Sequence, residues 1–232
     1  MHQPVATLKL VLFDLDHTLL AGDSDVLWCN FLMDQGVLDR QGFGARNAAM
    51  ERGYKAGTVS AADFAGFYVS TMAGRTAAQW QPLLSAFVRD VVWPLVGKQA
   101  RALVREQLHS GALVVLTTAT NSTIAAPTAQ LLGIDHLIGT ACEVGTDGRF
   151  TGRISGLPNM REGKVVRLHA WLAARGQQLQ DFESWAYSDS ANDLPLLRAV
   201  QHAVAVHPDE RLAAEAAQQG WPVLRLHGPP AP

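Results

Sequence analysis

The residues able to do chemistry fall into four short segments. Residues 13–25 read FDLDHTLLAGDSD, with Asp14 and Asp16 two apart at the end of an apolar run. In a continuing strand their side chains would share a face. At a strand-to-loop transition, one carboxylate and a neighbouring main-chain carbonyl can instead converge on a cation. Oxygen ligands of that kind suit Mg²⁺, with water and a substrate phosphate completing its shell. A strand-end turn with solvated acids is the alternative. In residues 114–121, VVLTTATN, Thr118 stands beside Thr117 just past a second apolar run. Its hydroxyl and nearby peptide N–H groups can face a phosphate at a helix start, or it is an ordinary helix cap. Residues 160–172, MREGKVVRLHAWL, carry Lys164 near the start of an amphipathic stretch. Its ammonium can neutralise a phosphoryl oxygen or a carboxylate. Arg161 and Arg167 compete for that task, and a solvent-facing lysine is the plainer reading. In residues 187–197, YSDSANDLPLL, Asp189 and Asp193 bracket a Ser-Ala-Asn loop. Asp189 can ligate the cation and Asp193 can hold a metal water or orient Lys164. A capped helix start with incidental acids is the alternative here.

These segments need a frame that brings them together. Leu8–Phe13, LKLVLF, is a nearly unbroken apolar run of the kind buried in a parallel sheet. Residues 111–117 look the same, residues 183–189 are a weaker version, and residues 202–206 form a further short run. Helical stretches fall at 95–108, 122–132 and 161–175. Alternating strands and helices predict a parallel sheet with helices on both faces. Residues 22–92 break the rhythm. Trp28, Phe31, Leu32, Phe64, Phe67, Tyr68, Trp80, Leu83, Leu84 and Phe87 recur at helical spacing, which predicts a helical insertion between the first two core strands. The alternative is that these helices belong to one continuous domain. An Asp-Gly step in TDGRFTGRI predicts a hairpin turn around residues 146–149. Pro229, Pro230 and Pro232 argue against a structured C-terminal end.

The chain has 232 residues, enough for a core domain with a small second domain, and a hydrophobic fraction of 48% fits a packed globule. Nineteen basic and 21 acidic residues leave a formal net charge of -2, which gives no bulk reason to expect nucleic acid as a partner. Two cysteines, Cys29 and Cys142, are not a disulfide framework and read as small buried residues. With neither a signal-peptide pattern nor a run of ~20 apolar residues, the expectation is a cytoplasmic protein with no membrane partner.

Taken in order, a cation site, a phosphate hydroxyl, a lysine and an acidic loop fit one reaction. The set resembles the haloacid dehalogenase-like (HAD) hydrolase superfamily: D14-L-D16-H-T18, Thr118, Lys164 and D189-S-A-N-D193. The resemblance covers roughly residues 8–20 and 95–206. The insertion after the first motif looks like the helical-cap, phosphoserine phosphatase-like branch, and DLDHTLLAGDSD with YSDSANDLPLL looks closer still to its subfamily IB. It implies a Rossmann-like three-layer α/β core (residues 1–21 and 93–228) and a C1-type helical cap (residues 22–92). It also implies a Mg²⁺-dependent phosphomonoester hydrolase acting on a small phosphorylated metabolite through an aspartyl-phosphate. Asp14 would be the nucleophile and Asp16 the general acid/base. Asp14, Asp189 and the Asp16 carbonyl would bind Mg²⁺, Thr118 and Lys164 would hold phosphoryl oxygens, and Asp193 would support them. Aspartate at both Asp14 and Asp16 speaks against carbon–halogen hydrolysis, which requires neither the second Asp nor magnesium. A phosphotransferase using the same intermediate, a phosphate-binding module without turnover and an assembly protein are the other readings.

Asp23, nine residues beyond Asp14, stands where phosphoserine phosphatases commonly have a Glu that contacts the substrate amino group. Aspartate keeps the charge and shortens the reach, so a substrate contact and a loop acid or helix cap are both open. A carboxylate-bearing substrate would also need an arginine, for which Arg40, Arg46, Arg52 and Arg75 are the cap candidates. Trp28 and Trp80 fit cap packing or a pocket wall. Tyr187, where the family often has Gly, would stiffen its loop or narrow the site.

Overall fold

The computed structural model describes residues 8–228; Pro229, Pro230 and Pro232 lie outside them. Six parallel strands form one sheet: β1 (Leu8–Phe13), β2 (Leu113–Asn121), β3 (His136–Thr140), β6 (Phe182–Ser188), β7 (His202–Val206) and β8 (Val223–Leu224), in the spatial order β3-β2-β1-β6-β7-β8. A separate antiparallel pair, β4 (Cys142–Val144) and β5 (Phe150–Ile154), is the hairpin read from the Asp-Gly step. Its turn closes with Gly145 N donating to the Arg149 carbonyl and with Gly148 at φ +76°, a conformation that favours glycine.

The chain leaves β1 outward through β2 and β3, then returns to β6 on the other side. The reversal opens a crevice at the carboxyl ends of β1 and its neighbours, the usual ligand position in open α/β sheets. Side chains alternate along β1. Val11 and Phe13 enter the hydrophobic cluster on one face, and Leu10 and Leu12 the cluster on the other. The second face is covered by α8 (Glu162–Ala173), α9 (Leu194–Ala199) and α10 (Glu210–Gln219), which bury Leu168, Leu172, Leu197 and Leu212 there.

Between β1 and β2 lie α1 (Ser24–Asp34), α2 (Arg40–Lys55), α3 (Ala61–Val69) and α4 (Ala77–Phe87), the helical insertion expected from the spacing. Side-chain caps start all four, from Asp23, Asp39, Ser60 and Thr76. Helix α4 runs on through a π turn (Val88–Val92) into the single turn α5 (Trp93–Leu95). Trp28, Trp80 and Phe87 pack edge to face within the same cluster as Val11 and Phe13, so α1 and α4 share the core of the sheet. Cys29, Phe64, Phe67, Tyr68 and Met160 make a smaller cluster above it. The entry and exit strands of the insertion lie side by side, with Leu20 bridged to Val96 and Ala21 N donating to the Leu95 carbonyl.

Two strands are absent from the sequence reading, β3 and β8, and some helix ends differ. The stretch expected to start at residue 95 begins as α6 at Lys98 and ends at His109, because Val96 is extended and Gly97 caps the helix. Helix α7 (Ser122–Leu131) follows β2 as expected. Both cysteines are free thiols, Cys29 buried and Cys142 partly so.

Candidate active site

β1 ends at Phe13, and the chain turns at once. Asp14 N donates to the Tyr187 carbonyl, extending the β1–β6 ladder by one residue. The Thr18, Leu19 and Leu20 amides all point back to the Leu15 carbonyl, and His17 sits at φ +55°. This tight coil presents Asp14 and Asp16 to the crevice and buries Thr18. Thr18 Oγ1 lies 3.2 Å from Asp14 Oδ2 and 3.3 Å from Asp189 Oδ1. Its single proton is shared between two carboxylates from different strands.

Lys164 is the buried cation of the site. Its side chain is 2% exposed, and Nζ donates to Asp14 Oδ1 at 2.7 Å and to Asp193 Oδ2 at 2.6 Å. Asp193 also accepts from Ser188 Oγ. Burial works against the ammonium, but the carboxylates of Asp14 and Asp193 outweigh it and hold its pKa above the ordinary lysine value. Helix α8 delivers Lys164 by an unusual start: Arg161 takes φ +50°. A side chain at Gly163 would meet the Pro158 carbonyl at 2.3 Å, so only glycine allows this close approach.

The acids exceed the cations. Asp14 is pushed up to about 7 by burial, against the pull of Lys164 and with the push of Asp193 and Asp16. Asp189 is pushed up to about 9 by burial and by the charges of Asp14 and Asp193. Asp14 pairs with Lys164 and shares the Thr18 hydroxyl with Asp189, and the two carboxylates offer hard oxygen donors that would suit a cation such as Mg²⁺. Among the described residues no three His, Cys, Asp or Glu side chains converge as a ready-made metal cage. A set of two carboxylates completed by a main-chain carbonyl, water and substrate is compatible with that count.

Asp16 is tied on both oxygens: Ser24 N donates to Oδ1 at 2.7 Å, and Thr120 Oγ1 donates to Oδ2 at 2.7 Å. Thr118, the residue read from sequence, is fully buried. It accepts from Thr120 N, and its hydroxyl lies 3.4 Å from Asp16 Oδ2. Thr120 is the threonine of β2 that lines the cleft.

The cleft has a volume of about 130 Å³. Asp14, Asp16, Lys164, Asp189 and Asp193 line its core side. Asp23, Asp25, Tyr54 and Phe64 line the cap side, with Met160, Arg161 and Asn192 between. Asp23 caps α1 by accepting from Val26 N, as one of its two sequence readings has it, and it also lines the cleft. Tyr54 stacks on Phe64 at 4.0 Å between ring centres. Its hydroxyl accepts from Asn192 Nδ2, joining α2 to the acidic loop.

Position decides several readings that the sequence leaves open. None of Arg40, Arg46, Arg52 and Arg75 lines the cleft. Arg40 pairs with Asp34, Arg46 lies over Phe43 and Phe67, and Arg75 lies over Trp80. Trp28 and Trp80 pack in the core. Tyr187 packs on Phe13 at 4.7 Å and does not narrow the site.

Other residues that shape the site escaped the sequence reading. Asn159 is fully buried, and its Nδ2 lies within 3.0 Å of Thr117 Oγ1 and the carbonyls of Thr118 and Ile138. It fixes the loop before Lys164 to β2 and β3. Asp209 caps α10, accepts from Ala191 N, and donates its own amide to the Asp189 carbonyl. Asp25 lay inside the first motif segment, where its spacing from Asp23 was the available signal.

Fold and cleft define a capped α/β enzyme with an acidic site at the sheet's switch point. The sequence matches the haloacid dehalogenase-like hydrolase family over residues 11–198. It is 39% identical over 219 residues to a histidinol-phosphatase of Neisseria meningitidis, covering 94% of this chain and 99% of that one. A crystal structure of a protein of unknown function from Bordetella pertussis superposes with a TM-score of 0.91 at 44% identity, covering 96% of this chain and all of that one (100%). A substrate-bound phosphoserine phosphatase complex superposes with a TM-score of 0.64 at 18% identity over 90% of each chain, a likeness of fold. The chain belongs to the haloacid dehalogenase-like hydrolases, in the phosphoserine phosphatase-like branch.

Proposed function

We propose that the protein is a Mg²⁺-dependent phosphomonoesterase for a small phosphorylated alcohol bearing cationic nitrogen, with histidinol phosphate as the specific candidate. One observation carries the substrate class. The cap side of the cleft is acidic and aromatic, through Asp23, Asp25, Tyr54 and Phe64, and none of the four cap arginines considered above enters it. A cationic ring suits carboxylates beside aromatic faces. A substrate carboxylate would meet repulsion there. The likeness to the Neisseria histidinol-phosphatase over nearly the whole of both chains supports the same reading.

In this reading Asp14 attacks phosphorus in line, and the bond to the ester oxygen breaks. Asp16, protonated at that stage, gives its proton to the leaving alcohol. It then takes a proton from water as the water oxygen attacks the aspartyl-phosphate, releasing phosphate and restoring Asp14. Covalent catalysis splits the reaction into two easier steps, and one residue is acid in the first and base in the second. Thr120 and the Ser24 amide hold Asp16 in place for both. Lys164 and Thr118 would hold phosphoryl oxygens, and Asp193 orients the Lys164 ammonium. Asp14, Asp189 and the Asp16 carbonyl would hold Mg²⁺, which when bound lowers the repulsion between phosphate and the attacking carboxylate.

The test is phosphate release from histidinol phosphate, phosphoserine, sugar phosphates, nucleotides and 4-nitrophenyl phosphate, each with Mg²⁺ and with EDTA. The expected result is metal-dependent turnover with histidinol phosphate fastest, and loss of activity by at least ~10³-fold in Asp14→Asn. Phosphoserine as the best substrate would overturn the substrate class. Transfer to an alcohol in preference to water would make the protein a phosphotransferase.

A further inference from the structure

The residues after β8 reach the coil that carries Asp14 and Asp16, and the chemistry above gives them no part. β8 ends at Leu224. Leu226 is 5% exposed and belongs to the hydrophobic cluster that holds Val11 and Phe13. Its carbonyl stands 2.5 Å from where a side chain at Gly97 would begin, so this segment lies directly on the chain's return from the cap. His207 fastens it. The His207 Nε2 accepts from Leu226 N at 2.8 Å and from His227 N at 3.1 Å. A nitrogen that accepts carries no proton, and burial holds the His207 pKa down to about 4, with the charges of His227 and Arg225 acting in the same sense. The rings of His207 and His227 stack, 3.7 Å between centres and 11° between planes. His227 Nε2 lies 3.1 Å from the carbonyl oxygen of His17. That oxygen can only accept, so the His227 ring donates.

His17 is the residue after Asp16, and its backbone is left-handed at φ +55°. For a residue other than glycine this conformation is uncommon and persists where neighbours hold it. The His17 amide donates to the Gly22 carbonyl inside the coil. The His17 carbonyl accepts from a ring 210 residues away in the chain. The backbone beside Asp16 is thus held on both sides, once locally and once from the far end of the fold. The turn after β7 serves the other half of the site as well, since Asp209 N donates to the Asp189 carbonyl.

We propose that His227 is a positioning residue for Asp16: clamped by His207, it fixes the backbone of His17 and so sets where the Asp16 carboxyl meets the leaving oxygen. Neither histidine lines the cleft. The role rests on the phosphomonoesterase reading above, in which Asp16 gives its proton to the leaving alcohol. Proton transfer demands hydrogen-bond reach, and a small misplacement of the donor is enough to slow it.

Two readouts test it, both on the full chain in Mg²⁺. The first is kcat/KM for the alkyl phosphate turned over fastest in the panel above and for 4-nitrophenyl phosphate. An alkoxide needs a proton to leave, and 4-nitrophenolate hardly does. Both esters share Asp14, Lys164 and the metal, so a general loosening lowers both alike. The second is hydrogen exchange of the amides of residues 17–20, which needs no turnover. His227→Phe keeps the stack and removes the donor. His227→Gln restores an N–H at similar reach. His207→Phe keeps the stack and removes the acceptor. In His227→Phe, kcat/KM for the alkyl ester should fall about 10-fold and that for 4-nitrophenyl phosphate less than about 2-fold. Exchange in the coil should quicken roughly 5-fold. His207→Phe should move both readouts the same way, and His227→Gln should recover most of the loss. The melting temperature should barely change, because water can take over at the exposed His17 carbonyl. An equal fall for both esters, or unchanged exchange, would overturn the proposal and leave the pair a contact of the fold. If the wild type hydrolyses no ester, the phosphomonoesterase reading falls, and the exchange contrast alone decides whether His227 holds the coil.

Discussion

Lys164 concentrates the energetics of the site in one side chain. It is fully surrounded, and it answers two carboxylates that arrive from β1 and from the loop after β6. Removing one partner of a buried ion pair leaves an uncompensated charge and costs about 3–5 kcal/mol. Lys164→Met should therefore lower unfolding free energy by about 3 kcal/mol in addition to abolishing turnover. Adding Asp193→Asn to it should cost less than the sum of the two single changes, because the second change removes an acid already left without its cation. Urea unfolding of the four proteins in the cycle reads this directly, and additive losses would mean that the two residues do not depend on each other. Asp14, Asp16, Lys164, Asp189 and Asp193 were legible as residue types at characteristic places along the chain. Thr120, Asn159 and Asp209 were not, since each acts through a neighbour distant in sequence: Thr120 through Asp16, Asn159 through Ile138, Asp209 through Ala191.

At the scale of elements, the cap must close on a site built by the sheet. One contact that joins them at the cleft is Tyr54 on α2 with Asn192 in the acidic loop, and Arg161 Nε donates to the same Asn192 side chain. Tyr54→Phe removes the hydroxyl and keeps the stack on Phe64. A hydrogen bond of this kind contributes about 1 kcal/mol, so KM should rise roughly 5-fold with little change in kcat. Steady-state kinetics on 4-nitrophenyl phosphate and on the natural ester separate the two constants. A loss of stability with KM unchanged would mean that the contact holds the cap without closing the site. The elements themselves were unevenly legible. β1, β2 and β7 are apolar runs buried in the sheet, and that composition is visible without any partner. β3 begins half-exposed and β8 has two residues, so neither carries a pattern long enough to distinguish it from a loop. The start of α8 depends on the left-handed Arg161 and on Gly163 against Pro158, a fit that exists only once the two backbones meet.

Across the whole molecule, the acidic site couples folding, metal and pH. In the unfolded chain Asp14 and Asp189 ionise near their ordinary value of 3.8; in the folded, metal-free protein they do so at about 7 and about 9. Between those limits the folded state holds protons that the unfolded state has released, so stability falls as pH rises. Their favourable contribution is complete below pH 3.8 and is lost as pH climbs through 7 and then 9. In the proposed magnesium site a divalent cation between the same carboxylates would replace the protons, and its affinity should rise with pH for the same reason. Ligand at about 100 times its Kd stabilises by about 2.7 kcal/mol. The melting temperature in saturating Mg²⁺ should therefore exceed that in EDTA by a margin that widens from about pH 5.5 to about pH 9. Calorimetric titration with Mg²⁺ in buffers of different ionisation enthalpy should show net proton release near neutral pH. An Asp189→Asn variant, with one of the two acids gone, should be more stable than wild type in EDTA at high pH and should gain little from Mg²⁺. A margin independent of pH, or an unaltered response in that variant, would place the metal away from Asp14 and Asp189.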